Sequence, residues 1–184
     1  MRRIIISLAC CFSAVFGYSQ FVIFGAKAGL NMATVTGNAV VQPAFIPSFH
    51  VGGFANFFLN DNFMVQPELL FSGKGVKSST QGTFRFGYID IPVLLQYKTA
   101  SGFFLEAGPQ VGFLVTSRLD KHDWKSNMKS TDYSWVGGLG YKSAMGWGVG
   151  ARYDFGFFNV ANLGIIRNKT ILISLFYTFG QNQE

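Results

Sequence analysis

The chain has 184 residues, enough for one domain, of which 49% are hydrophobic, 17% aromatic and only 13% charged, with a formal net charge of +6. A soluble domain carries about 25% charged residues, so this composition indicates that part of the surface meets something other than water. The basic residues form no dense run and no recognition helix is visible, which argues against a nucleic-acid partner.

The first residues have the pattern of an export signal. Arg2 and Arg3 precede an apolar run over residues 4–16, and the small residues Gly17 and Ser19 stand just before a cleavage site. The alternatives are a membrane anchor, which polar residues interrupt before it reaches spanning length, and a lipoprotein signal with a poor lead-in to the two cysteines. We therefore predict a signal peptide at 1–19 and a mature chain, 20–184, that contains no cysteine.

Strand-like segments bounded by Gly, Asn, Ser and Pro recur along the rest of the chain. Most of them reach the ~9–11 residues that a tilted strand needs to cross a bilayer, whereas strands of soluble sheets average ~5–6. The eight predicted strands are 22–33, 48–59, 63–75, 83–98, 103–116, 132–142, 146–159 and 169–179.

The connections between these segments alternate in length. Short ones at 60–62, 99–102 and 143–145 take turns with long ones at about 34–47, 76–82, 117–131 and 160–168. Transmembrane barrels show this asymmetry, with short periplasmic turns and longer outer loops. An even number of strands then places both termini on the periplasmic side.

Within the strands, apolar and polar residues alternate. In FMVQPELLFSGKG, Leu69 and Phe71 share one face, whereas Gln66 and Glu68 share the other. The alternative is a soluble lipocalin-like barrel, which would turn the apolar face inward. Its exterior should then be richly charged, but the polar faces of these eight long strands carry few charges. We predict that residues 20–184 form an outer-membrane β-barrel domain with an all-β fold, an eight-stranded antiparallel transmembrane barrel. The barrel is expected to be closed because the unpaired edge of an open sheet is costly in lipid. The aromatic residues predicted to form interfacial girdles are Phe63, Tyr97, Phe103, Tyr133, Trp135, Trp147, Tyr177 and Phe179.

Charged residues on the polar faces predict a network in the lumen. In a ring of eight, the first strand faces the fifth and the third faces the seventh, so Lys27 is expected opposite Glu106, and Glu68 opposite Arg152. Asp90 and Asp154 extend this network. The alternative is that these side chains pair with lumen waters and near neighbours instead. Because side chains fill an eight-stranded interior, we predict a plugged lumen without a general diffusion pore.

A second set of charged residues is basic and falls at the predicted outer side. Such a rim would attract the phosphates of outer-leaflet lipid, and its alternative interpretation is ordinary solvation of loops. The rim consists of Lys74, Lys77, Arg85, Arg118, Lys121, Lys125, Lys129, Arg167 and Lys169.

Residues with catalytic potential are few. His122 lies in a polar loop with Asp120, Asp123 and nearby serines, and His50 lies near the outer end of the second strand. A loop is a poor scaffold for a Ser-His-Asp arrangement, and the histidines and carboxylates show no metal-ligand spacing. We predict no enzyme activity, no metal and no cofactor.

Five stretches resemble the PorT-like outer-membrane β-barrel family of the Bacteroidetes type. They are GAKAGLN at 25–31, VQPELLFSGKG at 65–75, YIDIPVLLQYK at 88–98, LEAGPQVGFL at 105–114 and LISLFYTFG at 172–180. The resemblance implies an eight-stranded barrel in a Gram-negative outer membrane, not a defined activity.

Three functional hypotheses follow. The first is a non-enzymatic barrel whose outer loops interact with lipid, surface polymer or protein, with outer-membrane lipid as the expected partner and lipopolysaccharide as a candidate. The second, implied by the family's namesake, is an accessory component of a protein secretion system, with secretion-system proteins as partners. The third is a lipid-modifying enzyme that uses His122 or His50.

Overall fold

The backbone of the described residues forms antiparallel strands. The computed structural model describes residues 22–37, 44–78, 82–119, 122–123, 131–156 and 166–180, so the predicted signal peptide lies outside it. No helix within these ranges is long and apolar enough to cross a membrane. The strands are β1 (Val22–Gly37), β2 (Ala44–Phe58), β3 (Phe63–Ser78), β4 (Gly82–Lys98), β5 (Phe103–Leu119), β6 (His122–Asp123), β7 (Thr131–Lys142), β8 (Trp147–Gly156) and β9 (Ile166–Thr178).

The eight long strands close into a ring. Each pairs with its neighbour in the chain, and β5 pairs with β7 because β6 is only a two-residue strand at the end of β5. The first and last strands pair antiparallel over Gly25–Gly37 of β1, which removes both sheet edges. The predicted eight-stranded antiparallel barrel is confirmed, and closure satisfies the backbone groups that lipid cannot.

The register of the ring fixes its stagger. From Phe24 of β1, the paired positions lead around all eight strands to Lys169 of β9 and then to Thr34 of β1, ten residues further along. For eight strands, this shear corresponds to a tilt of about 40° and an interior that side chains can fill. The shear decides which lumen residues meet, and it cannot be read from the sequence of any single strand.

The two faces of the wall have opposite chemistry. Leu30, Leu105 and Ile173 are among the large apolar side chains that the outer face exposes, each at least 58% exposed. The alternate positions face inward and are often polar, as Gln110 and Thr170 illustrate. This apolar-out, polar-in pattern reverses that of a soluble protein and suits a wall surrounded by lipid.

The two ends of the barrel differ. At the turn end, where β1 begins and β9 ends, the connections are short, and Gly102 and Gly146 adopt positive φ of 93° and 88° that favours glycine. At the opposite loop end, β1 continues to Gly37 and β3 to Ser78, beyond the predicted ends at 33 and 75. Hairpin pairing continues there because its backbone hydrogen bonds do not require an apolar face.

Aromatic rings form pairs between adjacent strands near the turn end. The predicted girdle residues there lie on the outer wall, where an amphipathic ring meets the boundary between lipid and water. The pairs and their centroid separations are Phe63 with Tyr97 at 5.0 Å, Phe103 with Tyr141 at 5.2 Å and Trp147 with Tyr177 at 4.7 Å.

Candidate functional site in the barrel lumen

Four charged side chains meet in the lumen near the turn end, and we call them the turn-side layer: Lys27, Glu68, Glu106 and Arg152. The Lys27 ammonium donates to Glu68 Oε1 at 2.7 Å. Both terminal nitrogens of Arg152 donate to Glu68 at 2.7 Å. Arg152 Nη2 also donates to Glu106 Oε2 at 2.9 Å, and Arg152 Nε contacts the other Glu106 oxygen. The arginine fork therefore bridges glutamates on two strands.

The turn-side layer is balanced in charge and closely hydrogen-bonded. Two cations face two carboxylates, and all four residues are at most 5% exposed. Gln96 donates to Glu106 Oε2 at 3.1 Å, and the Gln66 amide contacts Glu68. Buried charges are tolerated when they are paired in this way, so this layer can stabilise the barrel without any bound ligand.

Three phenylalanines form an apolar floor on the turn-end side of this layer. The ring centroid of Phe176 lies 6.0 Å from that of Phe54 and 5.9 Å from that of Phe104. The Lys27 ammonium stands 5.4 Å from the Phe54 centroid. A Cβ at Gly25 would come within 2.2 Å of the Phe54 ring, so glycine there gives the ring its place. All three rings are buried inside the barrel.

A second charged group lies nearer the loop end, and we call it the loop-side layer: Lys74, Asp90, Asp132 and Asp154. The Lys74 ammonium lies 3.2 Å from Asp90 Oδ2, 3.5 Å from Asp154 Oδ2 and 3.9 Å from Asp132 Oδ2. It also stands 4.8 Å from the centroid of the Tyr88 ring. These ion pairs are longer than those of the turn-side layer.

Neutral side chains supplement the loop-side layer. The Gln110 amide donates to Asp154 Oδ2 at 2.9 Å and to the Ser134 hydroxyl at 3.2 Å. On the loop-end side, Phe86, Tyr88 and Leu114 form a buried apolar cluster. Among the described residues, polar contacts thus occupy the middle of the lumen, between the phenylalanine floor and the cluster of Phe86, Tyr88 and Leu114.

A third polar group, on β1, β2, β3 and β9, centres on His50. The Asn31 amide donates to the Ser72 hydroxyl at 3.0 Å and to the Gly73 carbonyl at 2.9 Å, so Asn31 Oδ1 is the acceptor for His50 Nδ1 at 2.6 Å. In the neutral ring, His50 Nε2 then accepts from the Ser174 hydroxyl at 2.9 Å.

This chain of contacts has the order of a hydrolase triad, in which a histidine links a serine to an orienting side chain. Its surroundings differ from those of an active site, because His50 is 1% exposed and Ser174 is 4% exposed on the inner face of the wall. A substrate would have to enter the barrel and reach a side chain that is almost fully buried. The geometry therefore favours a packing role for His50.

The six residues predicted for the lumen network all lie inside the barrel, but their partners differ in part. Glu68 meets Arg152 as expected, whereas Lys27 bonds Glu68 instead of Glu106. The physical reason is that the Arg152 fork holds Glu106. Asp90 and Asp154 belong to the separate loop-side layer, where they pair with Lys74. The predicted place of Lys74 in the outer rim is wrong, since its side chain is buried in the lumen.

The other predicted rim residues that the structure describes lie on strands toward the loop end. Lys169 is half-buried on β9 and pairs in register with the outward-facing Phe155. Arg85 of β4 pairs in backbone register with Arg118 of β5. Lys77 and Arg167 belong to β3 and β9. Lys121, Lys125 and Lys129 fall outside the described residues, as does the Asp120 beside His122.

Several polar residues of the lumen are not among those that the sequence analysis assigns to its network. They are Asn31, Gln110, Asp132 and Ser134. The alternation of the strands indicates that these residues face inward. Lys74 lies an even number of residues from Glu68 on the same strand, and Asp132 lies two residues from Ser134, so each pair faces the same side of the wall. Their partners depend on shear, which no local pattern specifies.

No three His, Cys, Asp or Glu side chains in the described ranges are arranged to hold a metal ion. No curated protein matches the chain in sequence. Residues 18–162 match the family model described as outer membrane protein beta-barrel domain.

Solved structures with the same fold are outer-membrane proteins. Neisserial surface protein A has a TM-score of 0.63 at 15% identity, over 85% of this chain and 97% of that one. Ail of Yersinia pestis, in complex with the heparin analogue sucrose octasulfate, has a TM-score of 0.55 at 14% identity, over 86% and 99%. OprG of Pseudomonas aeruginosa has a TM-score of 0.50 at 12% identity, over 87% and 97%.

At such low sequence identities, the similarity to these solved structures shows the fold alone. The family model, in contrast, matches well over half of the sequence. Together with the closed ring of eight strands and its lipid-compatible outer face, the match establishes both family and location. The chain belongs to the outer-membrane β-barrel domain family and resides in the outer membrane of a Gram-negative bacterium.

Proposed function

We propose that this protein is a non-enzymatic outer-membrane barrel with a closed lumen, and that its outer end binds anionic groups, above all the phosphates of outer-leaflet lipid. The loop end is then the outer end and the turn end is periplasmic, as in other barrels with short periplasmic turns.

The observation that carries this proposal is a segregation of charge. Five of the nine acidic residues are buried in the lumen and therefore do not face outer-leaflet lipid. They are Glu68, Asp90, Glu106, Asp132 and Asp154. Basic residues dominate what is left near the loop end, and a surface of one sign attracts ions of the other.

The backbone register places several basic residues on strands near the loop end. Lys169 pairs with the outward-facing Phe155, and Arg167 lies two residues away on the same strand. Arg85 and Arg118 are register partners on neighbouring strands. Arginine and lysine at such positions can bind phosphate through charge-assisted hydrogen bonds.

The closed lumen is supported by the side chains that occupy it. The phenylalanine floor, the two charged layers and the cluster of Phe86, Tyr88 and Leu114 succeed one another between the two ends. An eight-stranded barrel is just wide enough to be filled in this way. Transport through the centre is therefore not part of the proposed role.

Ail offers a useful probe for the experiment, since that protein is bound to a sulfated heparin analogue. The shared fold transfers no ligand to this chain. A polysulfate nevertheless distinguishes a general preference for polyanions from a preference for lipid phosphate.

The test is binding of lipopolysaccharide to the folded protein in neutral nanodiscs at low and high salt. The double variant Arg85→Gln/Lys169→Gln should bind at least about threefold more weakly, and the loss should shrink at high salt because screening weakens charge contacts. The matched control Lys98→Gln/Lys142→Gln removes the same charge at the periplasmic end and should bind like the native protein.

Three outcomes would contradict this proposal. Equal losses in both double variants would show that net charge, not the outer rim, governs binding. Undiminished binding by Arg85→Gln/Lys169→Gln would show that these two basic residues do not contribute to lipopolysaccharide binding. Stronger binding of sucrose octasulfate than of lipopolysaccharide would favour surface polymer over lipid as the partner.

The secretion hypothesis is tested separately by deletion of the gene. Loss of secreted proteins from the medium, with lipid binding intact in the purified barrel, would support an accessory secretion role in addition. An altered mass of lipid A would instead support the lipid-modifying hypothesis.

A further inference from the structure

Four polar side chains lie on the turn-end side of the phenylalanine floor, and we call them the mouth cluster: Asn56, Lys98, Lys142 and Thr178. Asn56 of β2 and Thr178 of β9 each follow a floor phenylalanine by two residues, toward the turn end. Lys98 is the register partner of Phe104, and Lys142 lies two residues beyond Gly140, which also pairs with Phe104. The register therefore places the four residues at nearly the same height in the barrel.

The mouth cluster surrounds the turn end of the lumen. Its residues belong to β2, β4, β7 and β9, which are every second strand around the ring. Tyr97 and Tyr141 precede the two lysines and belong to the aromatic pairs on the outer wall, so alternation turns the lysines inward. Lys98 and Lys142 are also close enough for their charges to act on each other.

The mouth cluster has polar groups without partners. In the described part of the chain, the ammonium groups of Lys98 and Lys142 have neither a hydrogen-bond acceptor nor a carboxylate beside them, although Lys142 is only 8% exposed. Within the same ranges, Asn56 Oδ1 and the Thr178 hydroxyl also lack a partner, at 3% and 1% exposure. Because buried polar atoms in native proteins are nearly always satisfied, this set indicates a site for a polar ligand.

We propose that the mouth cluster binds one hydrogen phosphate ion at the turn end, which is periplasmic in the proposed orientation. The two lysines supply two positive charges for the dianion, and charge-assisted hydrogen bonds to such an ion are strong. The Thr178 hydroxyl can donate to a third phosphate oxygen. Asn56 Oδ1 can only accept, and the P–OH group of hydrogen phosphate is a donor that suits it.

Other anions fit this arrangement less well. Sulfate has the same charge but no hydrogen to donate at neutral pH, so it would leave Asn56 Oδ1 facing an oxygen. The phosphodiester of a lipid headgroup has one charge and likewise lacks a P–OH group. Lipid headgroups also surround the outer wall, on the side of Tyr97 and Tyr141, whereas the lysines face the lumen. A free ion from the periplasm is therefore the ligand that the cluster favours.

The experiment measures equilibrium binding of radiolabelled inorganic phosphate to the refolded mature chain in a phosphate-free detergent at low salt. The native protein should bind about one ion per chain, because two lysines balance one dianion. Unlabelled sulfate should compete at least about tenfold more weakly than unlabelled phosphate, since a buried acceptor that faces no donor is costly. Heat-modifiable mobility on gels verifies that each protein tested is a folded barrel.

Two variants separate charge from specificity. Lys98→Gln/Lys142→Gln should weaken phosphate binding at least about tenfold, because it removes both charges. Asn56→Leu should weaken phosphate binding but leave sulfate binding as in the native protein, so that the two anions compete about equally. A merely structural role of Asn56 would not change the ratio between two anions of the same charge.

A matched pair on β9 locates the hydroxyl. Thr178→Val should weaken phosphate binding about threefold or more, as for loss of one hydrogen bond to a charged group. Thr170→Val removes another buried hydroxyl without a partner from the described part of the same strand, nearer the loop end. It should bind phosphate like the native protein.

Four results would overturn the proposal. The first is no saturable phosphate binding by the native protein, and the second is equal competition by sulfate and phosphate. The third is a loss in Arg85→Gln/Lys169→Gln as large as that in Lys98→Gln/Lys142→Gln, which would place the ion at the outer end. The fourth is displacement of phosphate by phosphatidylglycerol added to the detergent, which would assign the site to a lipid headgroup.

Discussion

The two charged layers of the lumen both pair basic side chains with carboxylates, but they do so with different geometry. In the turn-side layer, Arg152 and Lys27 hold two glutamates through hydrogen bonds of 2.7–2.9 Å. In the loop-side layer, Lys74 spans three aspartates at 3.2–3.9 Å. The difference teaches that one buried layer can be held by short, fork-shaped pairing, while the other, which shares β3 and β8 with it, relies on longer contacts to a single lysine.

The largest expected effect is at Arg152, which bridges Glu68 and Glu106. Arg152→Met should lower the free energy of unfolding by about 3–5 kcal/mol, because it leaves two buried carboxylates with Lys27 alone. Urea unfolding of the refolded barrel measures this value. Arg152→Lys, which keeps the charge but loses the fork, should fall in between, and a loss below about 1 kcal/mol would contradict the bridging role.

A matched pair of amide substitutions sharpens the comparison. Glu106→Gln should cost about 2–3 kcal/mol, because it removes a partner of Arg152 from a balanced layer. Asp90→Asn should change stability by less than about 1 kcal/mol, since Lys74 keeps the carboxylates of Asp132 and Asp154 within 3.9 Å. Both are read from the same unfolding curves. Equal losses in the two variants would show that the layers do not differ in balance.

The smallest expected effect is at Ser174, whose hydroxyl bonds His50 at 2.9 Å. Ser174→Ala should cost about 1 kcal/mol in urea unfolding, as for loss of a single buried hydrogen bond. Lipid A mass in a strain carrying this variant should remain unchanged. A changed mass would mean that the buried serine takes part in chemistry after all.

The strands could be read from the sequence because the lipid environment imposes a strict period of two on long segments. The predicted strand at 63–75 corresponds to Phe63–Ser78, and that at 103–116 to Phe103–Leu119. Several predicted ends toward the loops fall short of the observed ones, because the apolar pattern stops at the lipid boundary whereas hairpin hydrogen bonds continue beyond it. The predicted strand at 146–159 instead extends past Gly156, into residues outside the described ranges.

The lumen was predictable in content but not in pairing. Alternation assigns Glu68 and Arg152 to the interior, and the same rule applied to Lys74 would have moved it from the outer rim. Which carboxylate Lys27 meets depends on a shear of ten residues and on competition from the arginine fork. The shear and this competition are properties of the closed ring, and the sequence of a single strand does not predict them.

The central claim, a lumen closed by its own side chains, is tested most directly by conductance in planar bilayers. Native protein inserted from detergent, with insertion verified by resistance to heat unfolding on gels, should produce no steady channel current at any voltage below membrane breakdown. A stable, porin-like conductance that scales with the number of inserted barrels would contradict the closed lumen and the layered arrangement of charges on which it depends.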